Sequence, residues 1–217
     1  MGARMKAETI RRLCQSYNFP KMLDVGSGDG AVLQQLDQNR FSPAMYSLEI
    51  SESGASRIRE RGLSSLQNVQ LFDGYKIPYG PKEFPLATCS HVIEHVEHPR
   101  LLLREIARVS EYQFFEVPID FSFFVDKKTD HFLAYGHINI FTPSLFKFLL
   151  KSEGFEILAE HSVFYDTAAI RHSAPNTLTF WAIWLKTQIL KSVPALRKIK
   201  PSAFAVLCRK KTDLAIF

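Results

Sequence analysis

Apolar residues in the first 120 positions fall into short runs, separated by segments of a different period. The runs are typical of buried strands, and the segments between them repeat apolar positions at helical spacing. Five strands are predicted here, at 22–25, 44–50, 68–72, 86–93 and 112–117. Helices are predicted between strands at 31–36, 51–61 and 100–109. Strands that alternate with helices favour an α/β fold with a parallel sheet.

The ends of the chain add further elements. A helix is predicted at 3–17, with an apolar face and an opposite basic face formed by Arg4, Lys6, Arg11 and Arg12. Another is expected at 144–152, where Thr142 can cap the helix and Pro143 suits its first position. Strands are predicted at 155–163 and 204–209.

The charge, the cysteines and the apolar segments of the chain favour some classes of protein over others. The chain has 217 residues and a formal net charge of +5, much of it near the C-terminus, which favours a local basic patch over a protein built around nucleic acid. Its three cysteines are scattered, and two lie in apolar runs, so reduced core thiols and a cytoplasmic location are expected. No signal peptide and no apolar span of membrane length is visible.

Glycines follow the first predicted strand at alternate positions, in the order Gly26, Gly28 and Gly30. A glycine turn between a strand and a helix lets the backbone approach a ligand, while the helix directs its N–H groups at it. The spacing is G-x-G-x-G, whereas the dinucleotide-binding fingerprint has G-x-G-x-x-G. An acid, Asp24, lies near the end of the strand.

Two further strand ends carry acids. Glu49 ends the second predicted strand about twenty residues beyond the glycine turn, where Rossmann-like sheets place a carboxylate that binds ribose hydroxyls. Asp73 and Gly74 follow the third strand. Asp73 can accept a hydrogen bond from an adenine amino group, or form an ordinary Asp-Gly turn.

These motifs resemble a known family. Asp24 with the G-x-G-x-G turn is similar to the first motif of class I S-adenosylmethionine-dependent methyltransferases. The segment SHVIEHVEHPRLLLREIARV, at 90–109, resembles the fourth-strand motif of the ubiquinone/menaquinone-type (methyltransferase type 11/23-like) family, and HINIFTPSL, at 137–145, looks like a later part of the same relatives.

The resemblance implies a Rossmann-like, doubly wound α/β fold. We expect a seven-stranded, mostly parallel sheet whose antiparallel last strand lies between the fifth and sixth. The chain is expected to be one methyltransferase domain, 1–217, with substrate-side insertions at 119–141 and 165–201.

The resemblance also implies S-adenosylmethionine as cofactor and S-adenosylhomocysteine as product. Asp24, Gly26, Ser27 and Gly28 would hold the methionine portion. Glu49, followed by Ile50, would hold the ribose, and Asp73 with Gly74 the adenine. Ser90 and His91 would form the floor beside the sulfonium.

The acceptor side carries four candidate general bases: His91, His95, His131 and His137. His95 can equally have a structural role, holding the turn before the helix at Pro99. No metal site is predicted. The absence of Asn-Pro-Pro-Tyr after the fourth strand argues against the amino-methylating DNA and protein-glutamine group. We expect a methyl group to be transferred to oxygen or nitrogen, with carbon less favoured, of a small-molecule, glycan or lipid-linked acceptor.

Alternatives stay open. The apolar and basic segment 178–200 is either a helix packed on the core or an interfacial helix with peripheral membrane contact. A nicotinamide-dependent oxidoreductase would share the strand, turn and Glu49, but the glycine spacing and the Glu94-His95 turn disfavour it. A non-catalytic scaffold with a cofactor-binding fold is the third interpretation. The oligomeric state is left open.

Overall fold

A computed structural model of the chain describes residues 2–121, 129–193 and 201–211, apart from the side chains of His131 and Ser173. In this part of the chain seven strands form one sheet. They are β1 (Met22–Val25), β2 (Met45–Glu49), β3 (Leu66–Leu71), β4 (Phe84–Ser90), β5 (Ser110–Pro118), β6 (Phe155–Val163) and β7 (Ala203–Lys210).

The strand order is β3-β2-β1-β4-β5-β7-β6. The first five strands pair in parallel, and β7 runs antiparallel to both β5 and β6. The predicted mostly parallel sheet, with its last strand inserted between the fifth and sixth, is therefore confirmed. The order reverses between β1 and β4, and in open α/β sheets ligands bind beyond the carboxyl ends of the strands at such a point.

Helices cover both faces of the sheet. They are α1 (Ala3–Cys14), α2 (Ala31–Gln38), α3 (Glu52–Glu60), α4 (Pro99–Val109), α5 (Thr129–Ala134), α6 (Pro143–Ser152), α7 (Thr167–Ser173) and α8 (Thr177–Ser192). Thr142 caps α6 as predicted, its side chain accepting a hydrogen bond from the Leu145 N–H. The short helices α5 and α7 were not predicted.

Two apolar clusters form the core. Because neighbouring strand residues point to opposite faces, Met22 packs in one cluster with α1, α2 and α3, and Leu23 packs in the other with α4 and α6. The cysteines Cys14, Cys89 and Cys208 are buried and free, as expected for core thiols.

Two predicted boundaries are wrong. The strand expected at 86–93 ends at Ser90, because His91 turns the chain with a φ of 57° and Ile93–His95 forms a 3-10 turn. The N-terminal helix expected to reach residue 17 ends at Cys14. None of the helices within the described ranges combines the length and apolarity needed to cross a membrane.

Candidate functional site

The glycine turn between β1 and α2 has the left-handed backbone that its sequence predicts. Gly26 and Gly28 have φ angles of 75° and 60°. The N–H groups of Gly26 and Ser27 donate to the Leu48 carbonyl of the neighbouring strand, at 2.8 and 3.1 Å. A Cβ atom on Gly26 would lie 2.4 Å from Val92 Cγ2, whereas one on Gly28 would meet nothing within 4 Å. Gly26 therefore packs against the turn after β4, and Gly28 borders open space.

Glu49 ties the end of β2 to this turn. Its side chain accepts a hydrogen bond from the Gly28 N–H at 2.8 Å. Its other oxygen accepts from the Ser51 N–H and hydroxyl at 3.2 and 3.1 Å. The residue is only 6% exposed. The carboxylate is thus held in one orientation at the rim of the turn, and the oxygen that accepts only from Gly28 keeps a lone pair for a further donor.

Asp73 forms a turn after β3. Its Oδ1 atom accepts from the backbone N–H groups of Tyr75 and Lys76, at 2.8 and 2.6 Å. These backbone hydrogen bonds lower the pKa of Asp73, which is solvent-exposed. The Asp-Gly turn that we considered is present, and a second carboxylate oxygen remains for a ligand.

A cavity of about 680 Å³ joins these strand ends. It brings together most of the residues predicted for the cofactor and two of the predicted bases. Its lining is Gly26, Gly28, Glu49, Ile50, Phe72, Asp73, Gly74, Tyr75, His91, Val92, His95, Val96, Glu97 and Ile138.

A smaller cavity of about 280 Å³ lies on the other side of the glycine turn and shares Gly26, Gly28 and His91 with the larger one. It holds the remaining predicted cofactor residues, Asp24, Ser27 and Ser90. Together the two cavities make a groove that crosses the carboxyl ends of β1, β2 and β4.

The position of Lys6 differs from the expectation that it lies with the arginines on the basic face of the N-terminal helix. Arg4, Arg11 and Arg12 are exposed as predicted, but Lys6 lines the smaller cavity. Burial lowers the pKa of Lys6, while the charges of Glu116, Glu94 and Asp24 act to raise it. Helix α1 therefore both covers the core and brings a cation to the groove.

Asp24, near the end of β1, lines the same smaller cavity as Lys6. Its Oδ1 atom accepts a hydrogen bond from the Thr88 hydroxyl of β4 at 2.6 Å. The Ser27 hydroxyl donates to the Asp24 carbonyl at 3.2 Å and accepts from Ser47 at 2.8 Å. Burial raises the pKa of Asp24, and hydrogen bonds from Thr88 and Ser27 oppose the shift.

His91 lies between two buried carboxyl groups. Its Nε2 atom is 3.0 Å from Glu116 Oε1, and its Nδ1 atom is 3.5 Å from Glu94 Oε1. Burial lowers the pKa of His91 and raises the pKa of Glu94 to about 7 and that of Glu116 to about 8. Such close groups share their protons and titrate as a unit. His91 thus brings this buried cluster to the edge of both cavities.

Of the other predicted bases, His95 lines the larger cavity and His137 lies beside His95. His95 Nδ1 is 2.9 Å from the Gly136 carbonyl, and His137 Nδ1 is 2.5 Å from Asp120 Oδ2. The rings of His95 and His137 are 4.8 Å apart. The His95 side chain thus joins the turn after β4 to Gly136, and the role considered for His95 in holding the turn before Pro99 stays a prediction. The side chain of His131 lies outside the described residues.

Comparison with known proteins identifies the family. The family model described as "Methyltransferase domain" matches residues 3–160. The chain belongs to this methyltransferase family. Membership implies a cofactor of the S-adenosylmethionine type. No curated protein matches the methyltransferase in a sequence comparison.

Solved structures share the methyltransferase fold at low sequence identity. An S-adenosylmethionine-dependent methyltransferase from Mesorhizobium loti is 17% identical, with a TM-score of 0.63 over 94% of this chain and 97% of its own. A counterpart from Archaeoglobus fulgidus is 18% identical, with a TM-score of 0.63 over 96% and 95%. The [4+2]-cyclase SpnF is 15% identical, with a TM-score of 0.68 over 96% and 82%. Since a cyclase shares the fold, the fold alone does not fix the reaction.

Sequence analysis missed several residues of the methyltransferase groove. In the sequence, Lys6 is one of several basic residues on the exposed face of a predicted helix. Glu116 is a single charged residue within an apolar predicted strand. Phe72 and Tyr75 flank the predicted Asp73-Gly74 turn, so an aromatic residue on either side of that turn was the available signal.

Proposed function

We propose that the groove binds S-adenosylmethionine in an extended pose across the glycine turn. The nucleoside lies in the larger cavity, where Glu49 accepts from the ribose hydroxyls and Asp73 from the adenine amino group. The methionine portion lies in the smaller cavity, where Lys6 pairs with its carboxylate and Asp24 with its ammonium group. The observation that carries this proposal is Glu49, a buried carboxylate held by the Gly28 N–H beside an open cavity.

We infer that the methyl group goes to an oxygen or nitrogen atom, with carbon less favoured. In-line displacement needs the acceptor aligned with the carbon–sulfur bond and, for a protonated acceptor, a group that removes a proton. His91 borders both cavities and is oriented by Glu116. We assign proton removal to His91 acting together with Glu116, because burial lowers the pKa of His91 and raises that of Glu116 to about 8. Acceptors of the small-molecule, glycan or lipid-linked classes fit the apolar part of the lining, and no nucleic-acid partner is expected.

Calorimetry with S-adenosylmethionine tests the cofactor assignment. Glu49→Ala should weaken binding more than tenfold, equivalent to about 1.4 kcal/mol, because charge-assisted bonds to two hydroxyls are lost. Glu52→Ala is the matched control, since Glu52 lies three residues away on α3 and is exposed. Equal dissociation constants for the two variants would show that the ribose lies elsewhere.

Calorimetry also distinguishes the proposed methyltransferase from an oxidoreductase and from a non-catalytic scaffold. Binding of NAD in place of S-adenosylmethionine would point to an oxidoreductase. Binding of S-adenosylhomocysteine and S-adenosylmethionine, with no methylated product from polar, lipid or macromolecular extracts, would point to a scaffold.

We further propose that α8 makes peripheral contact with a membrane surface. Leu178, Trp181, Leu185 and Ile189 recur every three to four residues and are 82%, 54%, 57% and 50% exposed. Only Phe180 and Thr187 are buried along this helix, so its opposite face is open to an apolar environment. Lys186 and Lys191 also lie on the helix; Arg197, Lys198 and Lys200 lie outside the described residues.

Sedimentation with lipid vesicles tests this contact. Trp181→Ser combined with Leu185→Ser should release the protein from vesicles that contain anionic lipid, because apolar burial supplies much of the affinity. Gln188→Ser is the control. Equal sedimentation of both variants, or none for the wild type, would refute the membrane contact.

A further inference from the structure

Glu94 is an unusual buried carboxylate. It follows β4 in the 3-10 turn Ile93–His95 and is 0% exposed. Neither of its carboxylate oxygens accepts a hydrogen bond from the described residues. Two ring nitrogens lie near its Oε1 atom, His91 Nδ1 at 3.5 Å and His95 Nε2 at 3.8 Å. A buried carboxylate without hydrogen bonds is costly, and such groups in proteins are paired or coordinate metal ions.

The rings of His95 and His137, which lie beside Glu94, each keep one nitrogen with a lone pair. A carbonyl oxygen only accepts hydrogen bonds, so His95 Nδ1 carries a hydrogen that it donates to Gly136. His137 Nδ1 likewise donates to Asp120. In the neutral tautomer the Nε2 atom of each ring then carries a lone pair. Metal-binding histidines typically donate their other nitrogen to a carboxylate or a backbone carbonyl in this way.

We propose that Glu94, His95 and His137 form a binding site for a divalent metal ion, Zn²⁺ by the chemistry of its ligands. One ligand atom from each residue lies within 4.8 Å of the others. Zinc–nitrogen and zinc–oxygen bonds of about 2.0 to 2.2 Å bring ligands to about 3 to 3.5 Å of one another, so small side-chain movements close the site. This proposal adds a metal to a site for which the sequence predicts none.

The ligand set favours a transition metal. Two imidazoles and one carboxylate match the three protein ligands of catalytic zinc sites, which leave further positions open. Magnesium and calcium prefer oxygen ligands. Of the three ligands, His95 lines the larger cavity, so the proposed metal site adjoins the cofactor groove.

The scaffold holds the ligands in place before any metal binds. The Glu94 carbonyl accepts hydrogen bonds from the Ile138 and Asn139 N–H groups, each at 3.0 Å. The Asn139 side chain donates to the Val96 carbonyl at 2.7 Å. These bonds fasten the segment that carries His137 to the turn that carries Glu94 and His95.

A metal here would act on an acceptor hydroxyl, an inference that rests on the proposed methyl transfer. Coordination would lower the pKa of the hydroxyl, which would then lose its proton to solvent. The oxygen then forms a bond to the methyl carbon while the carbon–sulfur bond breaks, and its electron pair stays on sulfur. The products are a methyl ether and neutral S-adenosylhomocysteine.

Calorimetric titration of the full, chelator-stripped chain with Zn²⁺ tests the site. We expect one tight equivalent for the wild type. Glu94→Gln and His137→Gln should each weaken it by about a hundredfold or more, and Asp120→Asn by about 10- to 100-fold, since outer-shell partners contribute that much. His98→Gln is the matched control, because His98 lies three residues from His95 and its side chain is 60% exposed.

A second readout uses Co²⁺ in place of Zn²⁺. Its visible absorption reports coordination directly, and it should disappear in His137→Gln but persist in His98→Gln. Binding of S-adenosylmethionine by each variant shows that the chain is folded and keeps this test separate from that of the proposed function. Equal Zn²⁺ affinity in wild type and His137→Gln, or binding of Mg²⁺ but not Zn²⁺, would overturn the proposal.

Discussion

Replacing Gly26 by alanine tests how tightly the glycine turn between β1 and α2 packs against the turn after β4. In Gly26→Ala the new Cβ would lie 2.4 Å from Val92 Cγ2 and 3.2 Å from Val92 Cγ1. The φ angle of 75° adds a second cost, because L-residues lose about 1–2 kcal/mol in the left-handed region. Overpacking typically adds about 1–3 kcal/mol. We therefore expect Gly26→Ala to lower the free energy of unfolding by about 2–5 kcal/mol.

Gly28→Ala is the matched control in the same turn. Its φ angle is 60°, but a Cβ there would meet no atom within 4 Å. Only the backbone cost of about 1–2 kcal/mol should appear in the free energy of unfolding. The new methyl group instead projects into the groove, so the dissociation constant of S-adenosylmethionine should rise more than tenfold. The two alanines thus separate a stability effect from a binding effect.

Urea unfolding followed by circular dichroism measures the difference. Adding Val92→Ala to Gly26→Ala removes both methyl groups that the new Cβ would strike and leaves the Val92 Cβ at an ordinary 3.4 Å. The double variant should therefore be more stable than the sum of the single effects by about 1–3 kcal/mol. Additive effects, or a Gly26→Ala loss no larger than that of Gly28→Ala, would refute the packing argument.

Charged residues carry three more predictions. Lys6→Met should weaken S-adenosylmethionine binding in calorimetry by about tenfold, or 1.4 kcal/mol, whereas Arg11→Met on the exposed face of the same helix should change nothing. Stability measured by urea should fall as the pH rises from about 4.5 to about 8, because burial raises the pKa of Glu116 from 4.5 to about 8 and that of Glu94 from 4.5 to about 7, so the folded state keeps protons that the unfolded chain has released. Glu116→Gln should reduce that fall, and an unchanged slope would contradict the prediction. Burial also lowers the pKa of His91 from its ordinary value of 6.5. This shift has the opposite effect on stability, and it acts only at pH values below about 6.5. Glu153→Gln should cost about 1–3 kcal/mol in urea unfolding, since its buried carboxylate accepts from two arginines of α4 at 2.6 Å; a loss below about 0.5 kcal/mol would contradict this.

The sheet could be predicted because its signals are local. Most of the parallel strands are apolar runs, the first three end at or near a glycine or an acid, and a strand–helix repeat leaves few topologies. The residues of the proposed cofactor site were predictable for the same reason. Gly26, Gly28, Glu49 and Asp73 all lie at the end of a strand or within three residues of it, and the carboxyl ends of parallel strands meet at one edge.

The rest of the site depends on contacts between distant segments. Helical periodicity shows that Lys6 shares a surface with Arg11, but not that a cavity lies beyond its edge. Glu116 reaches His91 only because β4 and β5 pair in the register that sets Ser90 opposite Glu116. Asp120 meets His137 across a segment that single-sequence patterns do not position. Such pairings are properties of register and packing, which the periodicity of one segment does not encode.

The turn after β4 joins the two halves of the enzyme. On one side Val92 packs against Gly26 and so fixes the cofactor turn, and on the other the Glu94 carbonyl holds the segment that carries His137. Because a 3-10 turn of three residues has little freedom to deform, a shift on the acceptor side would be transmitted to Gly26. For the proposed methyl transfer, the alignment of nucleophile and methyl group that in-line displacement requires would depend on this short segment.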